Sequence, residues 1–339
     1  MKPCLFLAIE TSCDETSVAI FDEQLHVKAN VIASQTKWHE RFGGVVPEVA
    51  ARAHMELLTP TIAEALSTAS ISMKQIGAVA VHHGPGLAGA LLVGLSSAKM
   101  IALGLGVPLI GVNHVHSHLY ACRMSAGREI FPCVGMVVSG GHTILFDCES
   151  ALQMKRLGGT IDDAAGEAFD KVANLLGLGF PGGPALEKEA RLGSPKAYSY
   201  PRSFIHEERL DFSFSGLKTA VLYSIAPPGE KLNLVKIDAL SRANMAASFQ
   251  EAVVDVLAVK CLQALKRTGR KRLAVGGGVI ANSCLRDRLA TECSRLEIEL
   301  FVPQKDLCTD NAAMAALAVE YWKEQRFSDL SLDVCSTVY

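Results

Sequence analysis

The sequence has little net charge and no cysteine pair of the C-x-x-C type. Its 33 Lys and Arg stand against 35 Asp and Glu, a formal net charge of −2, so bulk charge does not indicate nucleic-acid binding. Its ten cysteines follow no regular spacing, which favours free thiols in a reducing cytosol over a disulfide framework or a zinc ribbon. The first residues lack a cleavable signal pattern. We therefore expect a cytoplasmic protein.

Charged residues are also missing from one long stretch, residues 84–112, where Lys99 is the single exception. A charge near the centre of a membrane span costs about 2.5 to 3.5 kcal/mol on insertion scales. Gly104, Gly106 and Pro108 further divide the run into a helix followed by a strand. We therefore predict that this stretch is buried core and that the protein has no membrane partner.

The 339 residues, 49% of them apolar, are enough for two domains with separate cores. A strand, a polar turn and a second strand are predicted at 5–10, 11–14 and 16–22, and the same order starts again at Val134. The closing strands contain A-I-F-D at 19–22 and I-L-F-D at 144–147. This repetition predicts an α/β fold built from a duplicated unit. Two such halves facing each other would leave a ligand cleft between the lobes.

The repetition also sets the expected domain boundaries. We predict an N-terminal lobe at 1–131, which a C-terminal helix from about residue 310 joins, and a C-terminal lobe at 132–309. Residues 194–211 mix two prolines with several charges, so we predict an insertion near 194–237.

Three histidines follow the apolar strand that is predicted at 108–112. Asn113 is a suitable N-cap for a helix from His114 to Met124. On that helix His114 and His118 lie one turn apart and can share one metal ion, while His116 points to the opposite side. On a continued strand all three would line one face. We favour the helix, since the strand is already long enough.

A third ligand is needed to support a metal site, and Asp310 is the best acidic candidate. We expect Thr309 to cap a helix that has Asp310 in its first turn, where the helix dipole favours a carboxylate in any case. Two histidines and one carboxylate leave positions open for water or substrate and suit iron or zinc. A metal on these residues would join the two halves of the sequence.

Acidic and glycine-rich segments occupy the second half. We expect a helix over 162–176 on which Asp163, Glu167 and Asp170 form an acidic stripe, and a solvated face is the commoner explanation of such a stripe. A further helix is predicted with Ser215 as its cap. The strand before Gly276-Gly277-Gly278 leads into a helix from about Asn282, an arrangement that lets backbone approach a nucleotide. The glycine run matches neither G-x-G-x-x-G nor G-K-[ST].

Seven motifs together resemble one family. They are I-E-T-S-C-D-E-T at 9–16, G-G-V-V-P-E at 43–48, G-P-G-L at 84–87, V-S-G-G-H-T at 138–143, D-D-A-A-G-E-A-F-D-K at 162–171, F-S-G-L-K-T at 214–219 and T-D-N-A-A at 309–313. The chain resembles the bacterial TsaD family over about residues 5–321. These transferases form threonylcarbamoyladenosine in tRNA and were once described as glycoproteases.

The resemblance implies a two-lobed actin-like (ASKHA) fold and an acyl transfer. The threonylcarbamoyl group would pass from threonylcarbamoyl-adenylate to N6 of adenosine 37, in tRNAs that read codons beginning with A, with release of AMP. The anticodon loop of the tRNA is single-stranded and can present this base without opening a duplex. A TsaB-like paralogue and a TsaE-like ATPase are the implied protein partners.

The resemblance also implies the site residues. His114, His118 and Asp310 would bind one metal, usually described as iron, which gives one Fe²⁺ per subunit with Zn²⁺ as the alternative. The adenylate would be held by nine residues, the first five at its phosphate region: Val137, Val138, Ser139, Gly140, Gly141, Asp170, Gly183, Glu187 and Asn282.

The sequence departs from this family at two positions. The family commonly has Glu between the metal histidines, followed by Gly, whereas this chain has His116 and Ser117. The ligand spacing survives, but His116 becomes a competing ligand.

The implied reaction asks little of side chains, because the carbonyl of a mixed anhydride is already activated. Positioning and hydrogen-bond donors around the phosphate are the main requirements. Asp14 and Glu15, in the polar turn of the first half, are the carboxylates that we predict as proton acceptors.

Two other enzyme classes fit parts of the sequence. A metalloprotease is suggested by H-x-x-x-H, but a zincin needs Glu directly after the first histidine, where this chain has Val115. A kinase of the same fold would use Mg²⁺ on carboxylates and phosphates rather than a metal on two histidines.

A partner-binding helix is also predicted after Pro47, which Pro60 would kink or break. Its apolar residues have two explanations that stay open, docking of a TsaB-like partner or packing within their own lobe. They are Val49, Ala53, Leu57 and Leu58.

Overall fold

The structure is a computed structural model that describes residues 4–226 and 237–337. Its chain divides into two compact units. Unit 1 consists of two chain segments, which end at Arg128 and resume at Pro303, and unit 2 comprises the continuous segment between them. Part of the predicted insertion near 194–237, residues 227–236, lies outside the described residues.

In the part of the chain that the structure describes, ten strands form two sheets. The first sheet contains β1 (Leu5–Glu10), β2 (Glu15–Asp22), β3 (Val27–Ser34), β4 (Ala78–Gly84) and β5 (Leu109–Asn113). The second contains β6 (Cys133–Val138), β7 (Thr143–Ser150), β8 (Gln153–Gly159), β9 (Arg272–Gly276) and β10 (Glu299–Phe301).

Ten α-helices accompany the sheets in the described residues. Unit 1 has α1 (Thr36–His39), α2 (Pro47–Thr68), α3 (Ala88–Leu105), α4 (His114–Ala126) and α10 (Ala318–Lys323). Unit 2 has α5 (Ala165–Leu175), α6 (Gly182–Ala190), α7 (Ser215–Ile225), α8 (Ala239–Thr268) and α9 (Ser283–Arg295).

The two sheets share one topology. The first has the order β3-β2-β1-β4-β5, and the second has the order β8-β7-β6-β9-β10. In each, the first strand pairs antiparallel with its hairpin partner and parallel with the strand that follows a crossover. The predicted duplication of an α/β unit is therefore confirmed.

Burial on both faces explains why the central strands are nearly continuous apolar runs. Five of the six residues of β1 are buried, and all of β6 is. In unit 1 the core lies between the sheet and helices α2 and α3. In unit 2 the long helix α8 packs on β6, β7 and β9.

Three predicted helix features differ in the structure. Helix α2 continues through Pro60, which excludes the predicted break and leaves the kink as the remaining prediction. The helix predicted at 162–176 begins at Ala165, because Asp162 accepts hydrogen bonds from the backbone of Phe214 and Ser215 and so caps α7. The cap predicted at Ser215 is therefore wrong, since that serine is the first residue of α7.

Helix α3 is buried on one face only. Its buried residues line the core, but Leu92, Met100 and Leu103 are 46, 67 and 61% exposed. The prediction that the whole stretch is buried core is therefore wrong for this face. In the described residues α3 is the one helix long and apolar enough to cross a membrane, and a single such helix is weak support for a span.

Candidate metal centre

The first site forms where the carboxyl ends of three neighbouring parallel strands meet. Strands β1, β4 and β5 are adjacent and parallel, so their carboxyl ends lie at one edge of the sheet. Glu10 ends β1, His82 lies near the end of β4, and His114 follows β5 directly. This edge is where side chains from distant parts of the sequence meet.

Helix α4 places the metal-ligand candidates as the helical interpretation predicts. Asn113 Oδ1 accepts a hydrogen bond from the backbone N–H of His116 at 3.0 Å and caps the helix. The rings of His114 and His118 lie 4.8 Å apart between centroids. The continued strand, on which all three histidines would share a face, is excluded. His116 belongs to neither group of potential metal ligands found in the described residues.

Asp310 completes a group of three potential ligands with these histidines. Its Oδ1 lies 3.2 Å from His118 Nε2 and 3.7 Å from His114 Nε2. The predicted cap at Thr309 is wrong, because Asn311 caps the short 3₁₀ helix Ala312–Leu317 and Asp310 precedes it. Since Asp310 belongs to unit 1 with both histidines, a shared metal would not join the two halves.

The donor atoms of this group fit a metal ion. His118 is fully buried, and neither of its ring nitrogens has a hydrogen-bond partner of acceptable geometry in the described residues. Buried polar atoms of this kind are rare, since leaving one unsatisfied is costly. Two imidazole nitrogens and a carboxylate oxygen converging on one point are a ligand set suited to iron or zinc.

The electrostatics of the group are strongly coupled. Burial opposes the charge on Asp310, but His114 and His118 outweigh this effect and lower the pKa of the carboxyl. Burial likewise opposes the charge on His114, but Glu10 and Asp310 outweigh it and raise the pKa of the imidazole to about 9. The site is therefore built to hold positive charge between carboxylates.

Asp14 ends the turn between β1 and β2, and Glu15 is the first residue of β2. This turn is supported by the buried His54, whose Nε2 lies 3.0 Å from the Cys13 carbonyl oxygen and whose Nδ1 lies 2.7 Å from Thr16 Oγ1. Glu15 Oε1 accepts a hydrogen bond from Ser34 Oγ at 2.9 Å, whereas its Oε2 is buried without a partner. The geometry thus holds one carboxylate oxygen and buries the other without a hydrogen bond in the described residues, a position that disfavours the charge.

Both carboxyls of this turn have raised pKa values. Burial is the main cause for Asp14, and the charge of Asp310 adds to it. Burial raises the pKa of Glu15 to about 7, with the Ser34 hydrogen bond opposing and Asp14 and Asp310 adding to the shift. A carboxyl that titrates near neutral pH can act as a proton acceptor.

In unit 2, a glycine turn follows β6. Val137 and Val138 end that strand, and the backbone N–H of Ser139 donates to the His142 carbonyl at 2.8 Å. Gly140 and Gly141 are exposed. The N-terminus of α5 packs against the turn, where a Cβ on Gly166 would meet Ser139 O at 2.5 Å. Exposed backbone N–H groups beside a helix N-terminus suit an anion.

The remaining residues implied by the resemblance lie on three helices of unit 2. Asp170 Oδ1 accepts from the backbone N–H of Gly182, next to Gly183, at 2.8 Å. Glu187 Oε1 accepts from Ser283 Oγ at 2.5 Å, and Asn282 Nδ2 donates to Gln250 Oε1 at 2.8 Å. These side chains therefore tie α5, α6 and α9 together. The three residues of the predicted acidic stripe have different partners. Asp163 and Glu167 both form ion pairs with Lys171, whereas Asp170 bonds to Gly182.

A cavity of about 490 Å³ opens beside Glu187. Its lining includes Gln250, Ser283 and Arg288, none of which the sequence analysis singled out. Two further residues that it missed, Glu10 and His82, contact the metal-ligand group of unit 1. The position of Glu10 at a strand end, directly before the polar turn, is the signal that was available.

Comparisons with known proteins agree with the resemblance. The family described as TsaD, tRNA N6-adenosine threonylcarbamoyltransferase, matches residues 26–317. A protein of that name from Rhodopirellula baltica is 48% identical over 97% of this chain and 96% of its own length. Another, from Moorella thermoacetica, is 50% identical over 96% of this chain and 94% of its own length.

Solved structures of low sequence identity show the fold. Full-length HypF, in a phosphate- and nucleotide-bound form, superposes on 97% of this chain with a TM-score of 0.62 at 15% identity. The chain spans 57% of the length of that structure. Component A of the Acidaminococcus fermentans (R)-2-hydroxyglutaryl-CoA dehydratase covers 93% of this chain, and the chain covers 97% of it, with a TM-score of 0.52 at 15% identity. The fold is thus the actin-like α/β fold that the resemblance implies.

The protease and kinase alternatives are not favoured by these relatives. The identity extends over nearly the whole of this chain and of each relative. The chain therefore belongs to the TsaD family of tRNA N6-adenosine threonylcarbamoyltransferases, transferases that form threonylcarbamoyladenosine in tRNA.

Proposed function

We propose that the protein transfers the threonylcarbamoyl group from threonylcarbamoyl-adenylate to N6 of adenosine 37, in tRNAs that read codons beginning with A. The N6 nitrogen attacks the carbonyl carbon, the carbon–oxygen bond to the phosphate breaks, and AMP leaves with that electron pair. The observation that supports a metal-assisted form of this reaction is the convergence of His114, His118 and Asp310, with neither nitrogen of the buried His118 in a well-formed hydrogen bond within the described residues.

The metal is part of the proposal. His114, His118 and Asp310 would hold one Fe²⁺ per subunit, with Zn²⁺ as the alternative. When bound, the metal supplies a Lewis acid that stabilises developing negative charge on oxygen. The buried His118 and the hydrogen-bonded His114 are held in place by helix α4, so the ligand set is organised before the ion arrives.

The glycine turn of unit 2 is the proposed phosphate subsite. The exposed Gly140 and Gly141 offer backbone N–H groups without side chains in front of them, while the backbone N–H of Ser139 donates to the His142 carbonyl. The packing of Gly166 against the turn fixes it. Donors that are fixed in advance stabilise the charge that the departing AMP acquires. Asp170, Gly183, Glu187 and Asn282 are the proposed nucleoside contacts.

Glu15 is the proposed proton acceptor, and Asp14 supports it. The amine must lose a proton as the new carbon–nitrogen bond forms. Glu15 has one carboxylate oxygen held by Ser34 and one without a partner, so the second can accept that proton. The charge of Asp14 raises the pKa of Glu15, which makes the carboxylate a stronger base.

The proposed setting is the cytosol, where all ten cysteines remain free thiols as they are in the structure. The proposed partners are a TsaB-like paralogue, a TsaE-like ATPase and the anticodon loop of tRNA. The paralogue would dock on the exposed face of α3. Of the α2 residues considered for docking, Ala53 and Leu58 are instead buried in unit 1.

The proposed docking surface on α3 can be tested by introducing a negative charge into it. Leu92, Met100 and Leu103 lie on one face of α3 and are exposed, and Met is enriched at protein interfaces. Met100→Asp should abolish co-purification with the paralogue while the thermal melt stays within a few degrees of the parent. Leu192→Asp is the matched control, since Leu192 is 72% exposed in unit 2. Retained binding by Met100→Asp and by Leu103→Asp would remove α3 from the interface.

The reaction itself is tested by nucleoside analysis of tRNA from cells depleted of this protein. Threonylcarbamoyladenosine should fall in the tRNAs that read codons beginning with A, and the parent gene should restore it. Purified protein with the adenylate, tRNA and its partners should release AMP in proportion to the modified base. Unchanged levels of threonylcarbamoyladenosine after complete depletion would contradict the proposal.

A further inference from the structure

Glu10 is a buried carboxylate in contact with two histidines. It is the last residue of β1 and is fully buried. Its Oε2 lies 2.9 Å from His114 Nδ1 and 2.7 Å from His82 Nδ1, and its Oε1 accepts a hydrogen bond from the backbone N–H of Ser12. A buried charge of this kind persists only where partners compensate it.

The contact with Glu10 determines which nitrogen of His114 faces the other ligands. A carboxylate can only accept, so the proton of the neutral imidazole lies on Nδ1, where it can be donated to Glu10. The Nε2 atom then carries the lone pair, and it is Nε2 that faces Asp310 at 3.7 Å. A carboxylate behind a metal-binding histidine fixes its ring orientation and raises its basicity.

His82 and Ser117 extend this contact by two more residues. His82 Nε2 lies 2.9 Å from Ser117 Oγ, and Ser117 Oγ donates to the Asn113 carbonyl at 2.9 Å. With its own proton used in this way, the serine oxygen is an acceptor for the N–H at His82 Nε2. A glycine, which the related family commonly has at this position, would provide no such oxygen.

The same side chains also form a second group of potential metal ligands, Glu10, His82 and His114. Their arrangement favours hydrogen bonding over a second ion. Both Nδ1 atoms approach the same carboxylate oxygen at hydrogen-bond distance, and Ser12 satisfies the other oxygen. A second metal would require His114 Nδ1 to lose the proton that Glu10 accepts.

We propose that Glu10, supported by His82 and Ser117, is a positioning residue that holds His114 with Nδ1 protonated and Nε2 ready to bind the metal. The inference rests on the proposed metal site at His114, His118 and Asp310. It adds a function for the serine that departs from the family and for His82, which lies outside the proposed ligand set. Hydrogen bonds join His114 to Glu10 and His82 to Ser117, and the 2.7 Å contact between Glu10 Oε2 and His82 Nδ1 links the two pairs.

The test measures metal binding and the protonation of His114 separately. Glu10→Gln keeps the shape of the side chain but removes its charge, and the apparent affinity for Zn²⁺ in a chelator competition should fall about 10- to 100-fold. The apparent affinity of Ser117→Gly for Zn²⁺ should fall only several-fold. In nitrogen-edited NMR, the Nδ1 proton of His114 should exchange slowly in the parent, with or without Zn²⁺, and exchange fast in Glu10→Gln.

The possible results distinguish the positioning role of Glu10 from a second metal site. Affinity of Glu10→Gln within twofold of the parent, or an unchanged His114 Nδ1 proton, would overturn the positioning role. Two zinc ions per parent chain, with one lost in His82→Asn, would show a second metal site instead. If the parent binds no metal, the proposed metal site fails, while the NMR comparison still tests Glu10. If Glu10→Gln does not fold, His82→Asn and Ser117→Gly decide by the same measurements.

Discussion

His118→Ala should remove most of the bound iron or zinc from the purified protein and most of its threonylcarbamoyl transfer. His118 is fully buried, and its Nε2 lies 3.2 Å from Asp310 Oδ1, so a methyl group in its place leaves Asp310 and His114 as an incomplete ligand set. Loss of supporting residues alone typically costs 10- to 100-fold in metal affinity or activity, and we expect at least that loss here. Metal analysis and single-turnover transfer measure the two effects.

His116→Ala is the matched control for this experiment. It removes a histidine from the same helix, two residues away, that lies outside both groups of potential ligands, and it should keep its metal. Val115→Glu, which creates the dipeptide of a zincin, should not produce peptidase activity. Metal loss in His116→Ala together with metal retention in His118→Ala would show that the ligand set is wrong.

Glu15→Gln should lower the transfer rate by about 10²- to 10⁴-fold, the usual contribution of a general base. Because the pKa of Glu15 is raised to about 7, the parent rate should rise with pH through this value and then level off. The rate of Glu15→Gln should lack this rise. Ser34→Ala removes the hydrogen bond that opposes the shift, so its rise should move to higher pH. An unchanged profile in both variants would exclude Glu15 as the base.

The same raised pKa has a consequence for stability, with a definite sign. The folded protein keeps the Glu15 proton up to pH about 7, whereas the unfolded chain releases it near the model-peptide value of 4.5. The folded state thus binds more protons between these values, and the free energy of unfolding falls as pH rises through them. Glu15→Gln should therefore melt above the parent at pH 8 and close to it at pH 4.5. A carboxylate that destabilises its own fold is typical of a functional site.

Local signals in the sequence predicted the parts of the structure that local interactions determine. Asn113 caps α4 through a contact three residues away, and the pairing of strands in each half follows from alternating turns and apolar runs. The distance between His114 and His118 follows from helix geometry alone. For these features, sequence neighbours are also spatial neighbours.

Other features depend on residues far apart in the sequence. Asp162 bonds to the backbone of Phe214 and Ser215 across about fifty residues. The helix predicted at 162–176 therefore starts three residues later, at Ala165, and the cap predicted at Ser215 is wrong. Glu187 bonds to Ser283 across 96 residues. In the sequence, Glu10 looks like an ordinary strand end, because the two histidines that contact it lie on β4 and α4. The exposed face of α3 looks like core, since composition does not distinguish a covered apolar face from an uncovered one.

The division of unit 1 into two chain segments has a consequence for the time at which the protein becomes complete during synthesis. Unit 2 is continuous, from Glu129 to Val302, so all of its residues can meet as soon as they leave the ribosome. His118 precedes unit 2 and Asp310 follows it. At about 5 to 20 residues per second, the two histidines are made roughly 10 to 40 s before the carboxylate that completes their ligand set. Metal capture by this group is therefore a late event, which follows synthesis of the whole of unit 2.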